Sequence, residues 1–305
     1  WYSPKSTGKT TEIDGATPDA NEIDDGGWKG RLNFPLIQGG DLCGRVVSVG
    51  DQVQRIKIGM RVTCPLCIPR PTSENPFALT VLGSEFDGAF AQFCCVREED
   101  LFDVTDTPLS DVEIAALPCA YGTAENLLTR SGVASGHKVL ITGASGGVGL
   151  ALVQLASKRG ADVTGVASPT KHAAVLDAGA LDVLARDDLP SPANYDRVID
   201  VVGGDAWPHL IAALKPGGHY ATSGAIAGPL VQADLREIYL RDITIHGCTF
   251  TPLSVFARLV EMMISGQIKP LVSKTYPLGD IATAQADFVA KRYPGKLVLI
   301  PPVPI

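Results

Sequence analysis

The sequence predicts an α/β protein in which a parallel, doubly wound sheet is joined to a smaller, mostly β unit. Three observations carry this. From about residue 110 onward, apolar strands alternate with amphipathic helices, the pattern of a parallel sheet covered on both faces. Before that point, short β-branched runs are separated by Gly and Asp, as in a small β domain. A glycine-rich turn within residues 139–149 (VLITGASGGVG) joins the first strand of the alternating region to its first long helix.

Residues 1–32 are polar and Gly-rich and read as a long loop. Strand character follows in the runs at 35–38 (PLIQ), 45–49 (RVVSV), 61–64 (RVTC) and 90–96 (FAQFCCV). Ser110, with Asp111 and Glu113 behind it, marks a helix start: a capping hydroxyl and acids in the positive first turn. A strand is expected at 138–142 and a helix at 147–159, with Val148, Ala151, Leu152, Leu155 and Ala156 on one face. Then come strands at 162–167, 182–185, 197–202, 219–223 and 243–248, and helices at 171–178, 206–214 and 254–265. A closing strand at 296–300, after Pro294-Gly295, is placed to rejoin the N-terminal β unit.

The bulk numbers exclude several classes. The 305 residues suffice for two domains, and 45% apolar with 19% charged residues is a globular composition. A net charge of −7 argues against nucleic acid or an anionic membrane as partner, leaving a small-molecule substrate. No apolar run reaches the roughly 18–20 residues that span a bilayer, and the start, Trp1-Tyr2-Ser3-Pro4-Lys5, lacks a signal-peptide pattern. Seven scattered Cys read as reduced thiols, so a cytoplasmic location is expected.

The turn Ala144-Ser145-Gly146-Gly147-Val148-Gly149 fits the dinucleotide fingerprint of a Rossmann domain, with Ala in the first glycine place. Gly146 admits backbone close to a pyrophosphate, Gly149 lets the helix pack on the sheet, and the N–H groups of Ser145, Gly147 and Val148 at the helix start draw phosphate. NAD sites usually carry an acid at the end of the second strand, about 20 residues on, for the ribose 2′-hydroxyl. Here that place reads Val166-Ala167-Ser168, followed by Thr170, Lys171 and His172. A hydroxyl and a cation suit a 2′-phosphate, so Ser168 and Lys171 favour NADP(H). The plainer alternative is that Ser168 caps the next helix and Lys171 is solvated.

Several separate segments resemble the medium-chain dehydrogenase/reductase superfamily, within it the zinc-free, quinone oxidoreductase-like branch. Gly40-Asp41-Leu42-Cys43-Gly44 with Val46, Val47 and Val49-Gly50 is similar to the family's G-D-x-x-G-x-V-x-x-V-G segment. Gly59-Met60-Arg61-Val62, Gly88-Ala89-Phe90-Ala91-Gln92-Phe93, the run from Leu117 to Ala124 and Gly295-Lys296-Leu297-Val298-Leu299 resemble further family motifs. The resemblance covers about residue 35 to the C-terminus. It implies a GroES-like domain at 1–119, a Rossmann NADP(H) domain at 120–252, and a return of 253–305 to the first domain. It also implies that the family's opening segment is missing and that the protein is a dimer or tetramer.

The resemblance bears on zinc as well. Zinc-dependent members use a Cys near the N-terminus, a G-H-E histidine, which reads Gly39-Gly40-Asp41 here, and a later Cys, where Cys119 stands. Catalytic zinc takes three protein ligands, so no metal is expected. Cys43, Cys119 and Cys248 are read as buried thiols, and the five His show no ligand spacing. Without a Lewis acid, the implied reaction is hydride transfer from NADPH to a quinone or to an activated alkene, whose developing enolate needs a hydrogen-bond donor. Tyr2 and Tyr121 are the candidate donors. Thr123 resembles the family residue that packs beside the nicotinamide, and Gly224 completes the expected cofactor set. Two alternatives stay open: an alcohol dehydrogenase with an atypical metal site, and a non-catalytic NADPH-binding protein.

Overall fold

A computed structural model describes residues 26–27, 30–31 and 34–303. In the N-terminal part, β1 (Gly26–Gly27) pairs antiparallel with β2 (Gly30–Arg31). Strands β3 (Gly44–Arg45), β4 (Arg61–Thr63) and β7 (Phe102–Asp103) form an antiparallel sheet, beside a hairpin of β5 (Cys67–Pro69) and β6 (Leu79–Val81). Arg61 binds this unit together. Its guanidinium donates to the carbonyls of Val104, Leu109 and Thr107 and to the Asp111 carboxylate.

Two of the expected strands do not form among the described residues. Residues 37–39 instead meet 88–90 as crossing loops, with Gly88 N–H donating to the Ile37 carbonyl at 2.7 Å and Phe90 N–H to the Gln38 carbonyl at 2.9 Å. Glycine is needed there: a Cβ on Gly88 would lie 2.3 Å from the Gly39 carbonyl oxygen. Residues 90–96 find no ladder partner, so alternation and aromatic content do not become a strand.

Helix α1 (Asp111–Ala115) starts as expected, with a full capping box between Ser110 and Glu113. Helix α2 (Pro118–Arg130) leads into the central sheet. Its strands are β8 (Lys138–Ile141), β9 (Asp162–Val166), β10 (Asp182–Leu184), β11 (Tyr195–Asp200), β12 (Leu214–Thr222) and β13 (Thr244–Gly247). All pair in parallel, in the order β10-β9-β8-β11-β12-β13. That is the 3-2-1-4-5-6 order of a Rossmann fold, whose switch point falls between β8 and β11.

The helices are α3 (Gly147–Lys158), α4 (His172–Asp177), α5 (Trp207–Ala213), α6 (Leu235–Tyr239), α7 (Leu253–Ile264) and α8 (Ile281–Val289). Helix α3 buries Ala151, Leu152, Leu155 and Ala156 on the expected face. It also buries Leu150 and Val153, because α2 packs on its outer side. Each fully buried leucine there contributes about 2 kcal/mol. The closing strand β15 (Lys296–Ile300) pairs in parallel with β14 (Val272–Pro277), which the sequence reading missed. It reaches the N-terminal unit through side chains: Lys296 Nζ to Asp41 at 2.8 Å, and Gln92 to the Pro302 carbonyl at 3.2 Å.

Candidate active-site cleft

The glycine-rich turn sits at the carboxyl end of β8, and Gly146 is the N-cap of α3. Gly149 is sterically required. A Cβ there would meet the Gly143 carbonyl oxygen at 2.1 Å and Ala144 Cα at 2.6 Å. Gly146 is different: it is exposed, and a Cβ would meet only the Gly143 oxygen at 3.4 Å, an ordinary contact. Nothing inside the protein demands glycine there, and the outward face of the turn stays open. Ser145 is buried and its carbonyl accepts from Gly295 N–H at 3.0 Å; Gly147 lies under the Lys296 stem; Val148 packs against the core.

At the switch point, Asp200 ends β11 with no exposed surface. It accepts from Thr142 Oγ1 (2.5 Å), Tyr220 OH (2.5 Å) and the backbone N–H groups of Val202 (2.9 Å) and Gly203 (3.1 Å). The carboxylate pushes the Tyr220 phenol up, after burial itself. This network holds together the carboxyl ends of β8, β11 and β12, where a doubly wound sheet binds its ligand. Gly224 follows β12, its Cα hydrogen side 3.1 Å from the Val201 carbonyl in Cβ terms, so the chain can pass only as glycine or with a small shift.

Between the two parts of the molecule lies a cleft. Pro65, Leu66, Cys67, Cys119, Thr123 and Phe256 are among its lining residues. Asn126 and Ser223 also line it, and Asn126 Oδ1 and Ser223 Oγ are buried without a hydrogen-bond partner. Buried polar atoms are normally paired, so two orphans in one cleft fit a polar group that arrives from outside, such as a carboxamide. Thr123 is half-buried and faces this space. Burial is the main cause that pushes the Cys67 thiol up to about 12, followed by Cys119 and Glu85.

The place where zinc-dependent relatives carry the G-H-E histidine is lined by other groups. A Cβ on Gly40 would lie 2.0 Å from Leu66 Cδ1, so the Leu66 side chain stands where a histidine would begin. Asp41 is occupied twice: its carboxylate accepts from Lys296 Nζ at 2.8 Å and from Cys119 N–H at 2.6 Å. No group of three or more His, Cys, Asp or Glu among the described residues is arranged to hold a metal. The donors among the described residues therefore do not by themselves make a catalytic zinc site, which needs three protein ligands and an open position.

Beyond β9, Ser168 precedes a short 3₁₀ turn (Pro169–Lys171), and its side chain makes no capping bond. Lys171 Nζ donates to the Lys291 carbonyl at 2.6 Å. Desolvation and then the neighbouring Arg186 lower the Lys171 ammonium; desolvation and then Lys171 lower Lys291. Lys171, Arg186 and Lys291 thus gather at the end of β9 and β10, none with an ion-pair partner among the described residues. Neither the capping role for Ser168 nor a freely solvated Lys171 matches this arrangement.

Tyr121 is a correction. It is 3% exposed, and its hydroxyl meets Gln154 Oε1 and the Lys269 carbonyl, both at 3.1 Å, on the α3 side of α2. Burial raises its phenol, and it is absent from the cleft lining. Its hydroxyl is used inside the fold, away from the lining of the cleft. Tyr2 lies outside the described residues. The sequence reading did not assign site roles to Asp41, Asn126, Asp200, Ser223 or Lys296. Asp41, Asn126 and Lys296 meet groups far along the chain, Asp200 reaches Thr142 and Tyr220 as well as its next residues, and Ser223 Oγ has no partner, so local pattern carries no signal for them.

With the geometry in place, known proteins give the class. A family model described as zinc-binding dehydrogenase matches residues 171–299, and an alcohol dehydrogenase GroES-like domain model matches 13–106. The chain is 29% identical to an acryloyl-coenzyme A reductase of Metallosphaera sedula, over 90% of this chain and 86% of that protein. It is 28% identical to a quinone oxidoreductase of Mus musculus, over 94% and 86%. Among solved structures, it matches a putative alcohol dehydrogenase from Sinorhizobium meliloti at 41% identity and a TM-score of 0.83, covering 89% of this chain and 77% of that one. The chain belongs to the medium-chain dehydrogenase/reductase superfamily. It is an oxidoreductase with a dinucleotide-binding Rossmann domain and a GroES-like domain. No helix among the described residues is long and apolar enough to cross a membrane.

Proposed function

We propose that this protein uses NADPH, without zinc, to reduce a quinone or the carbon–carbon double bond of an α,β-unsaturated carbonyl compound. The observation that carries the reading is the filled metal position: Leu66 stands against Gly40 and Lys296 holds Asp41. A cleft without a Lewis acid is poorly suited to alcohol oxidation, where a metal stabilises the alkoxide. Bound NADPH supplies the hydride, and solvent or a side chain supplies the proton.

The chain's own residues do the rest. The open turn at Gly146 with the α3 N-terminus holds the pyrophosphate, with Ser145, Gly147 and Val148 shaping it. Ser168, Lys171, Arg186 and Lys291 hold the 2′-phosphate, where a carboxylate would repel it. Thr123, Ser223, Gly224 and Asn126 would orient the nicotinamide ring, where Ser223 Oγ and Asn126 Oδ1 offer unpaired polar atoms to its carboxamide. Leu66 and Phe256 keep water from the reacting carbon. Tyr2 is the proposed donor to the developing enolate oxygen. The mouse and archaeal relatives, named for a quinone and for an acryloyl thioester, support an electron-poor alkene or quinone as the acceptor. The domain limits 1–119, 120–252 and 253–305, a cytoplasmic location and assembly as a dimer or tetramer belong to the same reading.

The test is consumption of NADPH and of NADH with a panel of quinones and enones, before and after dialysis against a chelator. NADPH-specific turnover that survives chelation is expected. Equal use of NADH refutes the roles of Ser168 and Lys171. Loss on chelation with recovery on added zinc refutes the metal-free mechanism.

A further inference from the structure

Along β11, β12 and β13 the side chains alternate between the two faces of the sheet. On one face Ile199, Ala221 and Cys248 join the core under α2 and α3. Two residues earlier on the same face stand Arg197, His219 and His246, all half-buried. Arg197 lies beside His219 in register, and His246 lies beside Ala221. The two imidazoles stack with ring centroids 5.1 Å apart, and His219 Nδ1 meets His246 Nε2 at 2.9 Å. Arg130, the exposed last residue of α2, acts on the charge of His246, and His137, before β8, acts on that of His219. Arg197 is level with Val139 near the start of β8, whereas the glycine-rich turn follows the end of that strand.

This group lacks a counter-charge. Among the described residues five arginines are half-buried. Arg61, Arg70, Arg159 and Arg241 each form an ion pair with a carboxylate, and Arg197 does not. Its Nε and Nη1 donate to the carbonyls of Ser131 (2.6 Å) and Asp196 (2.8 Å). Its Nη2 makes no hydrogen bond among the described residues and lies beside the exposed Gly132, 3.9 Å from where a Cβ would stand. The Asp196 carboxylate is taken, accepting from Lys215 Nζ at 2.9 Å and from Lys138 N–H at 2.8 Å. The Arg130 side chain has no ion pair or hydrogen bond among the described residues. A charge drawn partly out of water is normally paired. Desolvation lowers the Arg197 guanidinium, and Asp196 offsets this only in part.

Two guanidinium groups beside two imidazoles, each able to add a donor, suit a tetrahedral dianion, and the same arginines repel a metal cation. We infer that Arg130, Arg197, His219 and His246 form an anion site, separate from the dinucleotide turn, for a phosphate- or sulfate-type dianion. The bound anion offsets the arginines and so favours imidazolium. The occupied site then holds more protons than the empty one, and binding tightens as pH falls. The groups that face the pair are Arg130, His137, Arg197, the Lys215–Asp196 ion pair and the Cys248 thiol, which burial pushes up and keeps neutral.

The inference does not rest on the proposed reaction. Its test follows the imidazole C–H signals of His219 and His246 by NMR through a pH titration, with NADP⁺ present to fill the dinucleotide turn. His219→Gln and His246→Gln assign the signals. Sodium sulfate, a dianion throughout, moves both titration midpoints up by roughly half a pH unit or more, relative to sodium chloride at the same ionic strength. In Arg130→Gln the sulfate concentration for half the effect rises roughly threefold to tenfold. That side chain is exposed and unpartnered among the described residues, so its thermal unfolding midpoint in chloride stays that of the wild type. Phenyl phosphate identifies the source of the anion. A half effect at lower concentration than sulfate assigns the site to a phosphate ester, and an equal one assigns it to a free oxyanion; both uphold the site. Equal midpoints in sulfate and chloride, or an Arg130→Gln variant that responds to sulfate as the wild type does, overturn it.

Discussion

Replacing Asp200 by Asn changes almost no volume, so its effect isolates electrostatics and hydrogen bonding at the switch point. The carboxylate meets four donor groups while fully buried. Oδ1 takes Thr142 Oγ1 and Val202 N–H, and Oδ2 takes Tyr220 OH, with Gly203 N–H shared between the two oxygens. An amide keeps one oxygen, which stays with Thr142 and Val202. Its NH₂ then faces Tyr220 OH, which must turn from donating to accepting, and the Gly203 N–H, which keeps only its longer bond to the remaining oxygen. A hydrogen bond to a buried charge contributes about 1.5–3 kcal/mol, and an unpaired buried N–H costs about 1 kcal/mol or more. The expected loss is about 3 kcal/mol, near a hundredfold in the folding constant. Tyr220→Phe removes one of these bonds and leaves the backbone donors satisfied, so about 1.5 kcal/mol is expected. Urea unfolding followed by tryptophan fluorescence suits the measurement, because Trp207 packs edge-to-face on Tyr220 at 6.1 Å. A loss under 1 kcal/mol for Asp200→Asn would mean that the network does not hold β8, β11 and β12 together.

Three further outcomes follow from the same geometry. Gly149→Ala drives a Cβ to 2.1 Å from the Gly143 oxygen, which is backbone and cannot swing away. The turn must move, and NADPH affinity by fluorescence titration should drop at least about tenfold, the scale of a 1.4 kcal/mol loss; wild-type affinity would show that the turn is not the phosphate site. Lys171→Ala should raise the NADPH KM roughly tenfold and leave the NADH KM unchanged, since only a 2′-phosphate needs the cation; equal effects on both would refute that role. His219 Nδ1 and His246 Nε2 face each other at 2.9 Å across β12 and β13. Both imidazoles are held below their usual range by desolvation, then by Arg197, His246 and His137 around His219 and by Arg130 and Arg197 around His246. The folded protein therefore binds fewer protons here than the unfolded chain. The pair's contribution to stability is fully present above about pH 6.5 and falls as pH drops below it. His246→Gln should flatten that part of the unfolding profile, and an unchanged acid slope would refute it.

How much of this was legible in the sequence depends on how far each relation reaches along the chain. The turn at 144–149 and α3 were legible because glycines, an apolar strand and a 3.6-residue period sit within twenty-odd residues. Tyr121 and Thr123 show the limit. Two residues on a helix are turned by about 200°, so one faces α3 and the other the cleft, and the sequence says that both are inside without saying which faces what. The run at 90–96 failed for the converse reason: strand character is real only where a partner strand exists, and none runs beside it among the described residues. Strand β14 was missed because Lys274 and Thr275 break its apolar pattern; Tyr276 is buried there, with its hydroxyl on Asp287 at 2.5 Å.

Lys296 ties the glycine-rich turn to the GroES-like part. Its stem covers Gly147, where a Cβ would come within 2.8 Å of Lys296 Cδ, and its ammonium reaches Asp41, 255 positions away. The residue before it, Gly295, bridges to Gly146 and donates to the Ser145 carbonyl. Asp41 in turn holds the N–H of Cys119 near the start of α2. Desolvation in the cleft pulls the Lys296 ammonium down, but the Asp41 carboxylate and then Cys119 outweigh it, so the lysine stays charged at neutral pH. A fixed positive charge therefore stands beside the glycine-rich turn and against the Asp41 carboxylate. It offsets the Asp41 charge and keeps the turn pinned to the other half of the cleft. A neutral residue at 296 would leave Asp41 as an unpaired, half-buried carboxylate and unpin the turn, so the stability of the cleft and its affinity for a dinucleotide should fall together.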